Sequence, residues 1–205
     1  MKIDFKKEIA GYAAQRGRFD VVTVPELQFL MIDGHGDPNT SGAYRDTLAT
    51  LYPVAYALKF FSKITLERDY AVMPLEGLWW SESMDSFTTD RDKSRWDWTM
   101  MIMVPDWLTA AHVEQAKRTV AGKGGAPRLA DLRLEHFDEG LSVQTLHVGS
   151  YDDEAPVLAE LHDHVIPQQG LRMTGKHHEI YLSDPRRTAT ERLRTILRQP
   201  VRHGS

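Results

Sequence analysis

The order of predicted elements repeats once along the chain. In the first half, the apolar strand and glycine turn QFLMIDGHG (28–36) precede a helix and the strand LEGLWW (75–80). In the second half, VQTLHVGSY (143–151) precedes a helix and the strand HEIYLS (178–183). The apolar face of each such unit has to be buried against a partner. The pattern therefore predicts an α+β fold of two tandem modules with antiparallel sheets.

Hydrophobic periodicity and turn residues set the expected boundaries. Helices are predicted over about 43–61, 110–121, 153–166 and 188–200, the last from a capping-box pattern. Strands are predicted over 21–34, 71–80, 96–105, 132–137, 142–149 and 177–182, with a polar loop over 81–92. Pro53 indicates a kink or break in the first helix, and residues 138–140 indicate a hairpin-like turn. We place module one at about 21–120, a glycine-rich linker at 121–127, and module two at about 128–205.

Composition excludes several classes of function. The 205 residues include no Cys, which removes disulfides, thiolate metal sites and cysteine nucleophiles together. The net charge is −4 and basic residues are scattered, so the chain lacks the basic stripe that nucleic acid demands. No apolar run approaches the ~20 residues of a membrane span, and the first residues carry no signal-peptide pattern. We therefore expect a cytoplasmic protein that binds neither nucleic acid nor membrane.

The sequence also lacks the motifs of common metal and cofactor sites. His162 and His164 diverge on a helix, and His177 and His178 alternate on a strand, so neither pair has the spacing of a helical zinc site. The segment GHGDP has neither the third glycine nor the lysine of a phosphate loop, and no G-x-S-x-G is present. We expect no metal and no cofactor.

Glu179 is the candidate catalytic carboxylate. In a strand over 177–182, Glu179 and Tyr181 share one face, and His178 and Ile180 share the other. One interpretation is an exposed carboxylate on the protein surface. The other is a carboxylate in a pocket, where burial among aromatic rings would make it a proton donor or acceptor, or a partner for a cation, with Tyr181 as its hydrogen-bond partner.

All five tryptophans fall between residues 79 and 107. Aromatic residues at alternate strand positions are typical of a core, but adjacent Trp79 and Trp80 must point in opposite directions, so at least one is expected in a concavity or an interface. Flat rings there would stack on a planar aromatic ligand or face a cation.

The assembled blocks resemble the GyrI-like small-molecule-binding family. The resemblance spans nearly the whole chain and rests on several long segments: KIDFKKEI, FLMIDGHGDPN, LYPVAYALKF, VMPLEGLWW, WDWTMMIMVPDWLT, EGLSVQTLHVGSYDDE, HHEIYLSDPRR and LRTILRQPV. The resemblance implies tandem strand–helix–strand–strand modules, related by a pseudo-twofold axis, with a ligand cleft between them. It also implies that Glu179 lies at the floor of the cleft.

The W-W and W-D-W segments are similar to a subset of stand-alone members, the cyclopropanoid cyclopropyl hydrolases, which open the cyclopropane of DNA-alkylating natural products. This resemblance implies ligand stacking on Trp79, Trp80, Trp98 and Tyr151, and catalysis by Glu179 and Tyr181. Two alternatives stay open. One is a binder or sensor of hydrophobic or cationic aromatic compounds without catalysis, and the other is a module that restrains a macromolecular target. The sequence identifies no protein partner.

Overall fold

The computed structural model describes residues 2–81 and 92–204. Most of the predicted polar loop, residues 82–91, lies outside the described part of the chain. The main sheet has nine strands, and a separate parallel pair joins β1 to β4. The strands are β1 Lys2–Ile3, β2 Asp20–Val24, β3 Leu27–His35, β4 Asp69–Tyr70, β5 Leu75–Trp80, β6 Asp97–Met103, β7 Arg133–Phe137, β8 Gly140–Val148, β9 Leu171–Met173, β10 His177–Tyr181 and β11 Arg194–His203.

The chain also forms helices, the longest of which packs against the main sheet. The helices are α1 Phe5–Glu8, α2 Gly42–Thr65, α3 Ala110–Ala121, and a continuous run formed by α4 Ala155–Ala159, a π-helical segment Glu160–Val165 and α5 Ile166–Gln168. Short 3₁₀ turns lie at Ala10–Tyr12, Lys93–Arg95, Tyr151–Asp153 and Thr190–Arg192. Leu51, Val54 and Leu58 form the buried stripe of α2, as the apolar spacing predicts. None of the helices in residues 2–81 and 92–204 combines the length and apolar character that a membrane crossing requires.

The predicted α+β class and tandem antiparallel modules are confirmed. The main sheet runs in the order β2-β8-β11-β10-β5-β6-β3-β7, with β9 beside β11. Module two contributes β8, β11 and β10, and module one contributes β5, β6 and β3 in the mirrored order. The modules meet where β10 pairs antiparallel with β5, and Glu179 is there directly opposite Gly77. The exact module boundaries remain a prediction, since β7 pairs with β3 and β2 pairs with β8.

The hairpin predicted at residues 138–140 is wrong. β7 and β8 do not pair with each other; β7 pairs with β3, and β8 pairs with β2 and β11. The register continues through the break. Val24 pairs with Gly140 and Leu27 pairs with Phe137, so the two antiparallel strands are both displaced by three residues between these pairs. Residues 20–31 and 133–144 therefore form one long antiparallel ribbon. This ribbon links the two ends of the module sheet.

The closing helix predicted over 188–200 is also wrong. Only the 3₁₀ turn Thr190–Arg192 is helical, and residues 194–203 form β11 between β8 and β10. Ile196 and Leu197 are both fully buried although they point to opposite faces, because this strand is covered on both sides. Burial on both faces removes the alternation by which a strand is recognised in sequence.

The helix α2 continues through Pro53 without a break. Proline has no N–H, so the carbonyl of Ala49, one turn earlier, loses its usual helical partner. Both residues lie on the cavity-facing side of the helix. The interruption in the helical hydrogen bonding of α2 therefore lies on the side that faces the cavity.

Candidate ligand cavity

A cavity of about 900 Å³ lies on the helical face of the sheet, between α2 and the segment that leads into α4. This volume is in the range of a small-molecule site. Its floor is the junction of β5 and β10, where the modules meet. Aliphatic and aromatic side chains form most of its wall.

The floor carries a hydrogen-bonded row of three side chains. Trp79 Nε1–H donates to the Tyr181 hydroxyl at 3.1 Å, and that hydroxyl donates to Glu179 Oε2 at 2.7 Å. The Glu179 side chain is only 15% exposed, so it is a cavity carboxylate and not a surface one. Gly77 makes room for the row, since a Cβ there would lie 2.7 Å from Trp79 Nε1 and 3.2 Å from the Tyr181 hydroxyl. Strand alternation placed Glu179 and Tyr181 correctly on one face.

Aromatic rings surround this row. Tyr151 lies edge-on to Tyr181 at 5.6 Å between ring centroids, and Trp96 lies edge-on to Trp79 at 5.7 Å. Three tyrosines of α2 form a further wall that sequence reasoning missed: Tyr44, Tyr52 and Tyr56. The signal was available, because these residues and Leu48 recur at multiples of four and therefore share a helix face.

Trp80 and Trp98 do not reach the cavity. Trp80 points to the opposite face from Trp79, and Lys176 Nζ lies 3.2 Å from its ring centroid. Trp98 is on the cavity side of the sheet, directly opposite Trp79, but Tyr44 covers it edge-on at 5.4 Å and it is fully buried. Trp98 Nε1–H donates to the carbonyl of Gly36. Of the four predicted stacking residues, the structure places Trp79 and Tyr151 at the cavity wall and the other two outside it.

Burial and nearby carboxylates act together on the cavity tyrosines. Burial raises the pKa of Tyr181 well above its usual value, and the adjacent Glu179 carboxylate raises it further. Burial, followed by the charges of Glu154 and Glu179, raises the pKa of Tyr151 to about 12. Burial and Glu179 likewise raise the pKa of Tyr44. The tyrosines therefore stay protonated and neutral, as hydrogen-bonding groups and aromatic surfaces.

Directly behind the floor, on the other face of the sheet, lies a buried ionic network that sequence reasoning missed. The His178 ring nitrogens face Glu139 Oε1 at 2.8 Å and Glu76 Oε2 at 3.0 Å. Ionised carboxylates only accept hydrogen bonds, so both nitrogens carry a proton and His178 is an imidazolium. Arg198 Nη1 donates to Glu139 at 2.6 Å, and the Tyr12 hydroxyl donates to Glu76 at 2.6 Å.

The network balances its own charge. Two carboxylates face one imidazolium and one guanidinium, and all four side chains are nearly inaccessible to solvent. Burial would raise the pKa of Glu139, but His178 and Arg198 outweigh it and lower that pKa to about 2. Burial would lower the pKa of His178, but Glu139 and Glu76 outweigh it and raise that pKa. The network fastens the segment around Tyr12 to the back of the sheet.

Within residues 2–81 and 92–204, no three or more His, Asp or Glu side chains are grouped so as to hold a metal ion.

Comparison with known proteins agrees with this architecture. A sequence profile described as the GyrI-like small molecule binding domain matches residues 18–202. An uncharacterized conserved protein from Listeria innocua is 40% identical with a TM-score of 0.89, covering 98% of this chain and 100% of that one. A protein from the same organism described as a hydrolase is 38% identical with a TM-score of 0.84 over the same shares of the two chains. The C-terminal domain of EcmrR, at 12% identity, a TM-score of 0.56 and coverage of 91% and 98%, shares the fold. No curated protein matched the chain.

Proposed function

The chain belongs to the GyrI-like small molecule binding domain family, and on that premise we propose that its cavity binds planar, hydrophobic aromatic compounds and hydrolyses those that carry a strained cyclopropane. The observation that carries the proposal is the floor row, in which a carboxylate and a phenol meet inside an aromatic cavity of about 900 Å³. The hydrolase description of the 38% identical Listeria protein supports the same reaction class.

The reaction adds one water molecule to the substrate. The oxygen of water bonds to a cyclopropane carbon, the strained carbon–carbon bond breaks, and its electron pair passes to the conjugated carbonyl oxygen. The proton that the water loses ends on that carbonyl oxygen, so that substrate plus water equals product. Aromatic walls would hold the planar substrate and exclude bulk water, which strengthens every polar interaction inside. Tyr181 already donates to Glu179, which favours Glu179 as the ionised partner that orients the attacking water, and the phenol as the donor group of the pair.

A second function is favoured by the carboxylate and the aromatic rings together. A floor that holds the Glu179 carboxylate among tyrosine and tryptophan rings suits a cationic aromatic compound held by cation–π contacts and by the Glu179 charge. The protein would then be a carrier or sensor that releases its ligand unchanged.

One experiment separates the two. The purified protein is incubated with a cyclopropane-containing aromatic alkylator, and the ultraviolet spectrum and product mass are followed over several turnovers. Hydrolysis predicts a water-added product, whose rate falls at least about 100-fold in Glu179→Gln while binding survives. The exposed substitution Glu135→Gln is the matched control and should leave the rate unchanged. Saturable binding without product would establish the carrier function instead.

A further inference from the structure

Lys93 is a cavity residue that the reaction above leaves unused. Within the described residues, three lysine and arginine side chains line the cavity: Lys6, Lys93 and Arg186. Lys6 is exposed, and the Arg186 side chain is 82% exposed and pairs with Asp184. The Lys93 side chain is only 22% exposed. Of these three cations, Lys93 is therefore the one most shielded from bulk water, and a shielded charge acts more strongly on a ligand.

The contacts of Lys93 place it beside the floor row. Its Nζ lies 5.7 Å from the ring centroid of Trp96, and Trp96 lies edge-on to Trp79, which belongs to the row. The same Nζ donates to Asp152 Oδ1 at 3.1 Å, and Asp152 follows Tyr151, whose ring lies against the phenol of the row. Lys93 thus adjoins the row along two parts of the cavity wall.

The reaction needs a positive group away from the row. The carbonyl oxygen that receives the electron pair lies across the conjugated system from the cyclopropane carbon. Glu179 and Tyr181 are 2.7 Å apart and the Tyr181 proton is directed at Glu179, so a substrate whose cyclopropane faces the row presents its oxygen to another part of the wall. An ammonium has three donors, and within the described residues the Lys93 ammonium uses one, on Asp152.

We propose that Lys93 binds the carbonyl oxygen of the substrate and stabilises the negative charge that develops on it. This inference depends on the proposed function. In the step, Glu179 takes a proton from the water as the water oxygen bonds to the cyclopropane carbon, and the carbon–carbon electron pair moves to the oxygen beside the ammonium. Glu179 then returns the proton through solvent to that oxygen. A charge held in place before the reaction stabilises the transition state without reorganisation.

The substrate class follows from the two charges. The carboxylate at the floor faces the cyclopropane, and the ammonium at the wall faces the carbonyl. The compounds that react are therefore neutral aromatics in which a cyclopropane is conjugated with a carbonyl group.

The test compares Lys93→Met and Lys93→Arg with Asp152→Asn, which breaks the same ion pair but keeps the ammonium. The exposed Lys123→Met is the control. Single-turnover rates with the cyclopropane alkylator are measured beside its Kd from tryptophan fluorescence, and thermal melts check folding. Lys93→Met should lower the rate by about 10² to 10³ with little change in Kd, and Lys93→Arg should keep part of the rate. Asp152→Asn should stay within about fivefold of wild type, because an exposed pair contributes little.

A dienone analogue with two methyl groups in place of the cyclopropane cannot open, so it reports on the carbonyl alone. A cation at the oxygen of a conjugated carbonyl moves its ultraviolet absorption to longer wavelength. We expect this shift when the analogue binds wild type or Lys93→Arg, and no shift with Lys93→Met.

The outcomes separate the two proposals. If wild type turns over and Lys93→Met stays within about threefold of it, Lys93 does not bind the oxygen and the proposed function stands. If Lys93→Met and Asp152→Asn lose the same rate, the ion pair only shapes the wall and the assignment of Lys93 is wrong. If wild type binds the alkylator without product, the hydrolase function fails and the analogue decides: a shift lost in Lys93→Met keeps Lys93 as the carbonyl-binding residue, and no shift in wild type overturns it.

Discussion

We expect the substitution Glu139→Gln to lower the free energy of unfolding, because it disrupts the buried ionic network. The side chain is 2% exposed and accepts hydrogen bonds from His178 and Arg198. The amide keeps the shape of the side chain but removes its charge, so Arg198 loses its carboxylate partner in a solvent-free site and His178 is left with Glu76. Breaking a buried pair in this way costs about 3–5 kcal/mol.

The pKa of Glu139 points in the same direction. Burial would raise it, but His178 and Arg198 lower it to about 2, so the folded state favours the ionised carboxylate. A loss of about 3–5 kcal/mol is large beside the ~5–15 kcal/mol that stabilises a typical domain.

Urea unfolding at neutral pH, followed by tryptophan fluorescence, measures the change. The matched control is Glu135→Gln on the adjacent strand β7, whose carboxylate is 52% exposed and pairs with Arg133 at the surface. Exposed pairs contribute less than about 1 kcal/mol. A Glu139→Gln variant that loses no more stability than the Glu135→Gln control would refute the account of the network.

Other predictions follow from the same geometry. His178 has a raised pKa, so its contribution to stability is complete below the unfolded pKa of ~6.5 and is lost as pH rises through the folded pKa. The free energy of unfolding of the wild type should therefore fall over that pH range. In His178→Gln this dependence on pH should disappear. Gly77→Ala would press a Cβ against Trp79 and Tyr181, and we expect ligand Kd to rise about tenfold with the fold retained in circular dichroism. Trp98→Phe should cost about 2 kcal/mol of stability and leave the ligand Kd unchanged. Trp79→Phe removes the hydrogen-bond donor to Tyr181 and should weaken ligand binding. If calorimetry shows that Trp98→Phe weakens binding and Trp79→Phe does not, the placement of the two rings is wrong.

The local sequence pattern predicted those helices and strands that are buried on one face only. The apolar stripe of α2 and the alternation of β10 each present one buried face and one cavity or solvent face, and such elements have a clear period. β11 is covered on both faces and holds Arg198 and Gln199 in buried positions, so its sequence has neither a strand period nor a continuous apolar run.

Glu139 illustrates what sequence pattern could not provide. Within Asp-Glu-Gly it reads as a turn residue, and Gly140 does adopt a positive φ of 66°. Its true partners, His178 and Arg198, are 39 and 59 residues away, and no local period relates them. The same limit applies to Trp98, whose covering ring comes from the start of α2.

Glu179 and Gly77 face each other across the strand pair at which the two modules meet. One side of this floor carries the Glu179 carboxylate, and the opposite strand carries a glycine whose missing side chain leaves room for Trp79 and Tyr181. The charge at the floor therefore lies to one side of the boundary between the modules. An elongated guest with a positive end gains more attraction from Glu179 in one orientation than in the reversed one.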